Sequence, residues 1–424
     1  MLTTARPAIA LLLCATLAPP SFGASLTLSK PEDAGFSSER LKRIGPVVQR
    51  HVEAKDLAGA VTLLARKGKV VHFAAQGNMD FDSGKPVRTD TLFRLASMTK
   101  PITAVAVLMM MEEGKLVLSD PVSKYIPEFK NPKVAMWNLP NDPRGAGVRL
   151  VSADREVTLQ HLLTHTAGLT VSPEGPAADF FRKANLSQEG ISLAELTKRV
   201  GGLPLSFQPG TQFLYTGTYG FAVLGRVVEI VSGMTLDQFF RQRIFAPLAM
   251  NNTFFNIPAN RLADVAQVYL RTEQGLAKQN PPKPLPAGVD LYNGAGGLTG
   301  SAEDYLQFCQ MLLNGGQWNG ARLLSRKSVE MMSDNAVGDL DLANYPEPGQ
   351  NLRGYGFGLG VRVRKSNGAS GWLGSVGDYG WAGANGTYFW IDPKEQIIGM
   401  VMMSTRVGIL RTEFPNAVYQ ALVD

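Results

Sequence analysis

Strand-like segments stand at both ends of this chain and helical patterns fill its middle, a distribution that limits the available folds more than any other feature. Near the N-terminus, Ala60-Val61-Thr62-Leu63-Leu64-Ala65 and Val70-Val71-His72-Phe73-Ala74 flank Arg66-Lys67-Gly68-Lys69, a β-hairpin signal. Near the C-terminus, strands are predicted over 357–363, 386–391 and 397–403, the last two joined by Asp392-Pro393-Lys394-Glu395-Gln396. A hairpin needs no crossover helix, so the sheet is expected to be antiparallel. From about 97 to 290 the apolar spacing is that of helices joined by long loops. The expected architecture is α/β of the α+β kind: an antiparallel sheet flanked by helices, completed by N- and C-terminal segments (25–96 and 291–424), with an inserted mainly helical domain (97–290).

Helices are predicted over 37–54, with Leu41, Ile44, Val47 and Val48 on one side, over 158–166, 217–232 and 235–248, and near 416–422. Another follows the Gly294–Gly300 stretch, where Ser301 is placed to cap it and Glu303 and Asp304 fall in its first turn. Segment 131–155 is rich in Pro, Gly, Asn and Asp and reads as a long loop; together with 334–353 it is expected to wall a pocket. Segment 256–290, Tyr269 included, shows no assignable pattern.

Residues 1–24 read as an export signal, with Arg6 as the positive charge, an apolar stretch over 8–18 and small residues in Ser21-Phe22-Gly23. A periplasmic or secreted protein is expected. Lipid anchoring is not, because Leu13 stands where a lipoprotein carries a small residue before its cysteine. No later run offers ~18 uninterrupted apolar residues, so no stable membrane insertion is expected once the signal is removed. Of the 2 cysteines, Cys14 leaves with the signal, so a disulfide cannot staple the mature chain and the core must stabilise it. Cys309, in an amphipathic helical pattern, reads as a small buried apolar residue. The formal net charge of +6 is spread thinly, without a dense Lys/Arg run or zinc spacing. That argues against nucleic acid as a partner and leaves attraction to anionic surfaces open.

The chemistry-bearing stretch is Phe93-Arg94-Leu95-Ala96-Ser97-Met98-Thr99-Lys100, followed by an apolar run over 101–111. It reads as a strand, a turn and a helix whose first turn carries a serine and a lysine three residues apart, with hydroxyl and amine on one face. Pro101 is tolerated there because first-turn N–H groups have no intrahelical partner. Serine also caps helices and lysine also points to solvent, so the pair needs company before it means catalysis. At a helix start, Ser97 gains a free backbone N–H and the positive end of the dipole, both suited to an oxyanion. Lys100 can serve as a base only if desolvation or nearby positive charge lowers its pKa. Tyr215, in Pro209-Gly210-Thr211-Gln212-Phe213-Leu214-Tyr215-Thr216-Gly217-Thr218-Tyr219-Gly220, is the candidate proton shuttle, with core packing as the competing role. Tyr379-Gly380-Trp381-Ala382-Gly383-Ala384-Asn385-Gly386-Thr387 offers either a strand edge that a ligand can approach closely or a tight turn with Trp381 packed inside.

Taken in order, Ser-x-x-Lys, Pro-Gly-Thr-x-x-x-Tyr and Trp-x-Gly resemble the serine β-lactamase-like superfamily, and within it the esterases related to class C β-lactamases, the family VIII carboxylesterases. Leu162-Leu163-Thr164-His165-Thr166-Ala167-Gly168-Leu169, Leu224-Gly225-Arg226-Val227-Val228-Glu229, Pro247-Leu248-Ala249-Met250, Gly296-Gly297-Leu298 and Gly386-Thr387-Tyr388-Phe389-Trp390-Ile391-Asp392-Pro393 match the same family. The resemblance covers nearly the whole mature chain and implies a β-lactamase/transpeptidase-like fold. It implies Ser97 as the acylated nucleophile, Lys100 and Tyr215 sharing the proton transfers, the N–H groups of Ser97 and Ala384 as oxyanion hole, and Trp381 and Gly383 at the substrate. No metal or organic cofactor is implied, and the partner is a small-molecule ester.

Two departures bear on the substrate. Tyr215-Thr216-Gly217 stands where class C β-lactamases have Tyr-x-Asn, removing a side-chain amide. Trp381-Ala382-Gly383 stands where β-lactamases have Lys-Thr-Gly, removing a cation for the substrate carboxylate, a contact that contributes about 1.5 to 3 kcal/mol. Both favour an esterase over the alternatives: a β-lactamase or D-alanyl peptidase, an acyltransferase, or an idle binding protein on the same fold. His161 and His165 have a metal-ligand spacing, but Leu162 replaces the glutamate of a zinc peptidase, and the resemblance assigns both to packing. No G-x-S-x-G elbow occurs.

Overall fold

The computed structural model describes residues 27–424 apart from 140, 144, 171–173, 189, 281–290 and 343–351. The expected export signal and part of the expected 334–353 wall lie outside the described residues. Strands β1 (Gly59–Arg66) and β2 (Lys69–Gly77) form the predicted N-terminal hairpin. The C-terminal third supplies β3 (Tyr355–Phe357), β4 (Arg362–Arg364), β5 (Tyr379–Ala382), β6 (Tyr388–Asp392) and β7 (Ile397–Met403). All seven join one sheet in the order β3-β4-β5-β6-β7-β1-β2. β7 lies antiparallel to β1, with Ala60 opposite Met403 and Arg66 opposite Ile397, so the two ends of the chain meet inside the sheet.

Every residue of β1 and β7 is buried, because both faces of the sheet are covered. On one face α1 (Ile44–Glu53) and α5 (Leu410–Tyr419) press Ile44, Val48, Leu410 and Phe414 onto Leu64, Tyr388 and Trp390. Gly399 of β7 is required there, since a Cβ would stand 2.2 Å from the Trp390 ring. The other face carries the larger core, including α2 (Thr99–Glu112), α3 (Tyr219–Ser232) and α4 (Ala302–Leu313). Residues 99–110 of α2 are all buried, which is why the sequence there is apolar on every side, Met109 and Met110 included. Ser301 caps α4, accepting the Asp304 N–H at 3.2 Å, and Cys309 is fully buried.

Several boundaries differ from expectation for local reasons. The strand predicted over 357–363 is two strands, because Gly358 and Gly360, the latter at φ +81°, turn the chain between Phe357 and Arg362. The last helix begins at Leu410, so Pro415 lies inside it; buried Leu410, Phe414 and Val418 hold a helix that the proline alone would discourage. Segment 131–155 is no open loop: Lys133–Trp137 pairs with Val148–Ser152. The unassigned 256–290 contains a second small hairpin, Tyr269–Thr272 with Gly275–Lys278.

Candidate active site

Phe93–Arg94 pairs with Thr299–Gly300 and carries the chain to Ala96, whose φ of +46° is a left-handed conformation that an L-residue adopts only under constraint. That reversal sets Ser97 in a short 3-10 turn running directly into α2, with Lys100 in the first α-helical turn. Ser97 Oγ lies 3.0 Å from Lys100 Nζ and accepts the Tyr215 O–H at 2.7 Å. The three side chains read from the sequence are therefore brought to one point, from two segments more than a hundred residues apart.

Lys100 is completely buried, over the rings of Tyr215 and Phe221, and donates to the Ala295 carbonyl at 2.7 Å. It forms no ion pair among the described residues. Burial without a counter-ion pushes its pKa well below the ordinary lysine value. The Ala295 carbonyl is fixed in turn: Asn293 Oδ1 accepts the Ala295 N–H at 2.8 Å, and Thr103 of α2 donates to Gly294 O at 2.7 Å. The glycine-rich approach to α4 is thus a fastened wall, and it supplies the lysine with an acceptor.

Tyr215 is held from behind. The Leu214 N–H donates to His165 O at 3.0 Å and the Gly210 N–H to Thr166 O at 2.8 Å. His165 is fully buried at φ +56°, its ring edge-on to Tyr215 with centroids 4.7 Å apart. Burial, and then the neighbouring Lys100, push its pKa down, and its Nδ1 faces the Thr216 hydroxyl at 3.2 Å and the Thr216 N–H at 3.4 Å. His165 thus packs, as expected, but against the candidate proton shuttle itself. His161 closes the capping box of its helix with Thr158.

The motif predicts substrate contact for Trp381 and Gly383; in the structure both are buried, and neither is among the residues lining the cavity beside Ser97. Trp381 is 2% exposed, with its ring 5.4 Å from that of Tyr215. The Gly383 N–H donates to Thr387 O at 2.7 Å and its carbonyl accepts from Arg411 at 2.6 Å, so its backbone is already engaged. A Cβ on Gly383 would stand 2.4 Å from Leu95 O, and this close approach sets Ala384 beside the Ser97 turn. Ser97 and Ala384 both line a cavity of about 390 Å³, and among the described residues neither N–H has a protein acceptor. Ala96, Tyr215, Gly217, Ala295 and Gly297 also line it; among the described residues no Lys, Arg, Asp or Glu does, and neither does any of 131–155 or 334–353. Gly217, at φ +60°, adds no side chain to this wall.

With this geometry in view, comparison with known proteins is specific. A model of the family described as Beta-lactamase matches residues 46–423. Protein Rv1367c of Mycobacterium tuberculosis is 34% identical over 313 residues, covering 72% of this chain and 75% of that protein. Esterase EstB of Burkholderia gladioli is 33% identical over 285 residues, covering 62% and 68% respectively. Among solved structures, EstCE1, described as a hydrolase with promiscuous acyltransferase activity, superposes with a TM-score of 0.74 at 26% identity, covering 91% of this chain and 99% of that one.

Proposed function

The chain belongs to the beta-lactamase family of serine hydrolases, and from that premise we propose that it is an exported esterase cleaving small carboxylic esters through an acyl-enzyme on Ser97. The observation that carries the reading is a serine Oγ within hydrogen-bond reach of a fully buried lysine and a tyrosine hydroxyl, in a cavity with no charged side chain among its described lining residues. Neutral Lys100 accepts the Ser97 proton, directly or through Tyr215, as Oγ attacks the ester carbonyl. The carbonyl oxygen becomes an oxyanion stabilised by the N–H groups of Ser97 and Ala384. Collapse breaks the bond to the alcohol oxygen, which takes the proton back from the Lys100–Tyr215 pair. Water then attacks the acyl carbonyl as it gives a proton to that pair; collapse breaks the bond to Ser97 Oγ, which takes the proton back from the pair, and the carboxylic acid leaves.

That no cation stands among the described lining residues favours esters over substrates that must present a carboxylate. Removing the Tyr-x-Asn amide acts in the same direction, since Gly217 has nothing to hold a substrate amide. A fluorophosphonate probe should label the folded protein at Ser97, and Ser97→Ala should abolish labelling; an unlabelled wild type overturns the hydrolase reading. p-Nitrophenyl butyrate should be turned over faster than nitrocefin, and the reverse order makes a β-lactamase the better description. Acyl transfer is a second reading, motivated by the description of EstCE1. Added alcohol should then compete with water for the acyl-enzyme and give a new ester.

A further inference from the structure

The hairpin Lys133–Trp137 with Val148–Ser152 projects from the body and takes no part in the cavity. Its register sets Trp137 opposite Val148 and Ala135 opposite Leu150, and strand side chains alternate, so these four share one face. The base of the hairpin is fastened: Val134 and Ala135 are buried, the Ala135 N–H donates to Leu205 O at 2.8 Å, Val151 packs against the core, and Ser152 O and the Asp154 N–H bond Gln208. The end of the hairpin faces outward. Met136, Trp137, Leu139, Val148 and Leu150 are five of the fifteen large apolar side chains left exposed among the described residues, with Trp137 at 60% and Leu139 at 62%. Single exposed apolar residues need no explanation, but a third of them on one hairpin does.

Charge accompanies the patch. Segment 130–155 carries five cationic residues against Asp142 and Asp154. Lys130, Lys133 and Arg155 are exposed and Arg149 is half-buried across from Met136. None of these four is in an ion pair among the described residues; Lys133 bonds only the Ser152 hydroxyl, at 3.1 Å, whereas nearby Lys124 is paired with Asp120.

We infer that this hairpin is a docking surface for an anionic lipid bilayer. An exposed indole flanked by leucine and valine suits the headgroup level, where the ring's apolar body is buried and its N–H stays wet, while the unpaired cations meet lipid phosphates. An acidic macromolecule would engage the cations and leave the aliphatic side chains in water. A second copy docked symmetrically would bring the same cations face to face. The contact is interfacial, since no single helix among the described residues is long and apolar enough to cross a membrane.

Co-sedimentation of the mature protein with phosphatidylcholine vesicles, with and without phosphatidylglycerol, tests this. Binding should require the anionic lipid, weaken as salt rises, and shift tryptophan emission to the blue. Trp137→Ser with Leu139→Ser should lower vesicle affinity at least about tenfold, and Lys130→Gln and Lys133→Gln about fivefold each. Hydrolysis of soluble p-nitrophenyl butyrate should be unchanged in all of them, which reports folding. If the double serine variant fails to fold, the two lysine variants carry the test. No binding of wild type to anionic vesicles overturns the inference, as does binding that none of these changes weakens. A concentration-dependent dimer that the serine variant abolishes reassigns the face to a second copy and overturns it equally.

Discussion

Lys100 and Arg364 are both buried cations wrapped in aromatic rings, one beneath the candidate active site and the other at the β3–β4 end of the sheet. Lys100 lies 5.1 Å from the Tyr215 ring centre, and Arg364 lies 5.1 Å from that of Tyr355. Their partners differ. Arg364 donates to Asp378 at 2.6 Å, to the Trp372 and Leu373 carbonyls and to Ser370, so a carboxylate balances its charge. Lys100 has a hydroxyl and a carbonyl. An arginine always carries its proton and a compensated one is architecture; an uncompensated buried lysine sheds its proton and becomes a base. The size of an opening is no guide to this difference. A wider groove of about 940 Å³ crosses the far face between α1 and α5, but its Arg50 is paired with Glu413 and its Arg43 donates to Gln420.

The sharpest way to break the comparison is to remove the groups around Lys100. Ser97→Ala should cut kcat/KM for p-nitrophenyl butyrate by at least about 10⁴-fold while leaving the melting curve intact; retained turnover places the nucleophile elsewhere. At the other cation the effect should be on stability. Asp378→Ala leaves the Arg364 charge buried and unpaired and should cost about 3 to 5 kcal/mol in denaturant unfolding, with kcat of the folded fraction preserved. Smaller and opposite in sign, Lys100→Met should stabilise by about 1 to 2 kcal/mol while abolishing turnover, because it removes a desolvated amine from the core. A Lys100→Met protein less stable than wild type would make the lysine structural after all.

The pH profile tests the same point without mutation. Lys100 must be neutral to accept a proton, and burial depresses its pKa. kcat/KM should therefore climb about tenfold per pH unit on the acid side and level off well below the ordinary lysine range. A plateau reached only near the ordinary lysine value would mean that Lys100 is not held neutral. The same depression makes folding release a proton, so stability should rise with pH across the window between the lowered folded value and the unfolded lysine value.

Much of this was legible in the chain because it is local. The N-terminal hairpin follows from alternation across residues 60–74, the Ser301 cap from its place before α4, and the Ser97–Lys100 pair from helix periodicity. Where one local rule opposed another, the sequence misled. Proline inside α5 and glycines between β3 and β4 were outweighed or reinforced by packing that no window of residues displays. The 131–155 hairpin was hidden by its turn-rich composition, although its alternating partners, Trp137 with Val148 and Ala135 with Leu150, were present throughout.

The candidate site divides in the same way. Sequence alone determined which residue types could do chemistry, their order along the chain and the loss of a cation at Trp381. Tertiary structure decided that Lys100 has no counter-ion among the described residues, that the Ala295 carbonyl and the His165 ring support the site, and that Trp381 is buried against Tyr215. The reason is physical: a motif fixes spacing along one helix, whereas burial and charge balance depend on what distant segments bring to the same point. For Lys100, the described segments brought no carboxylate.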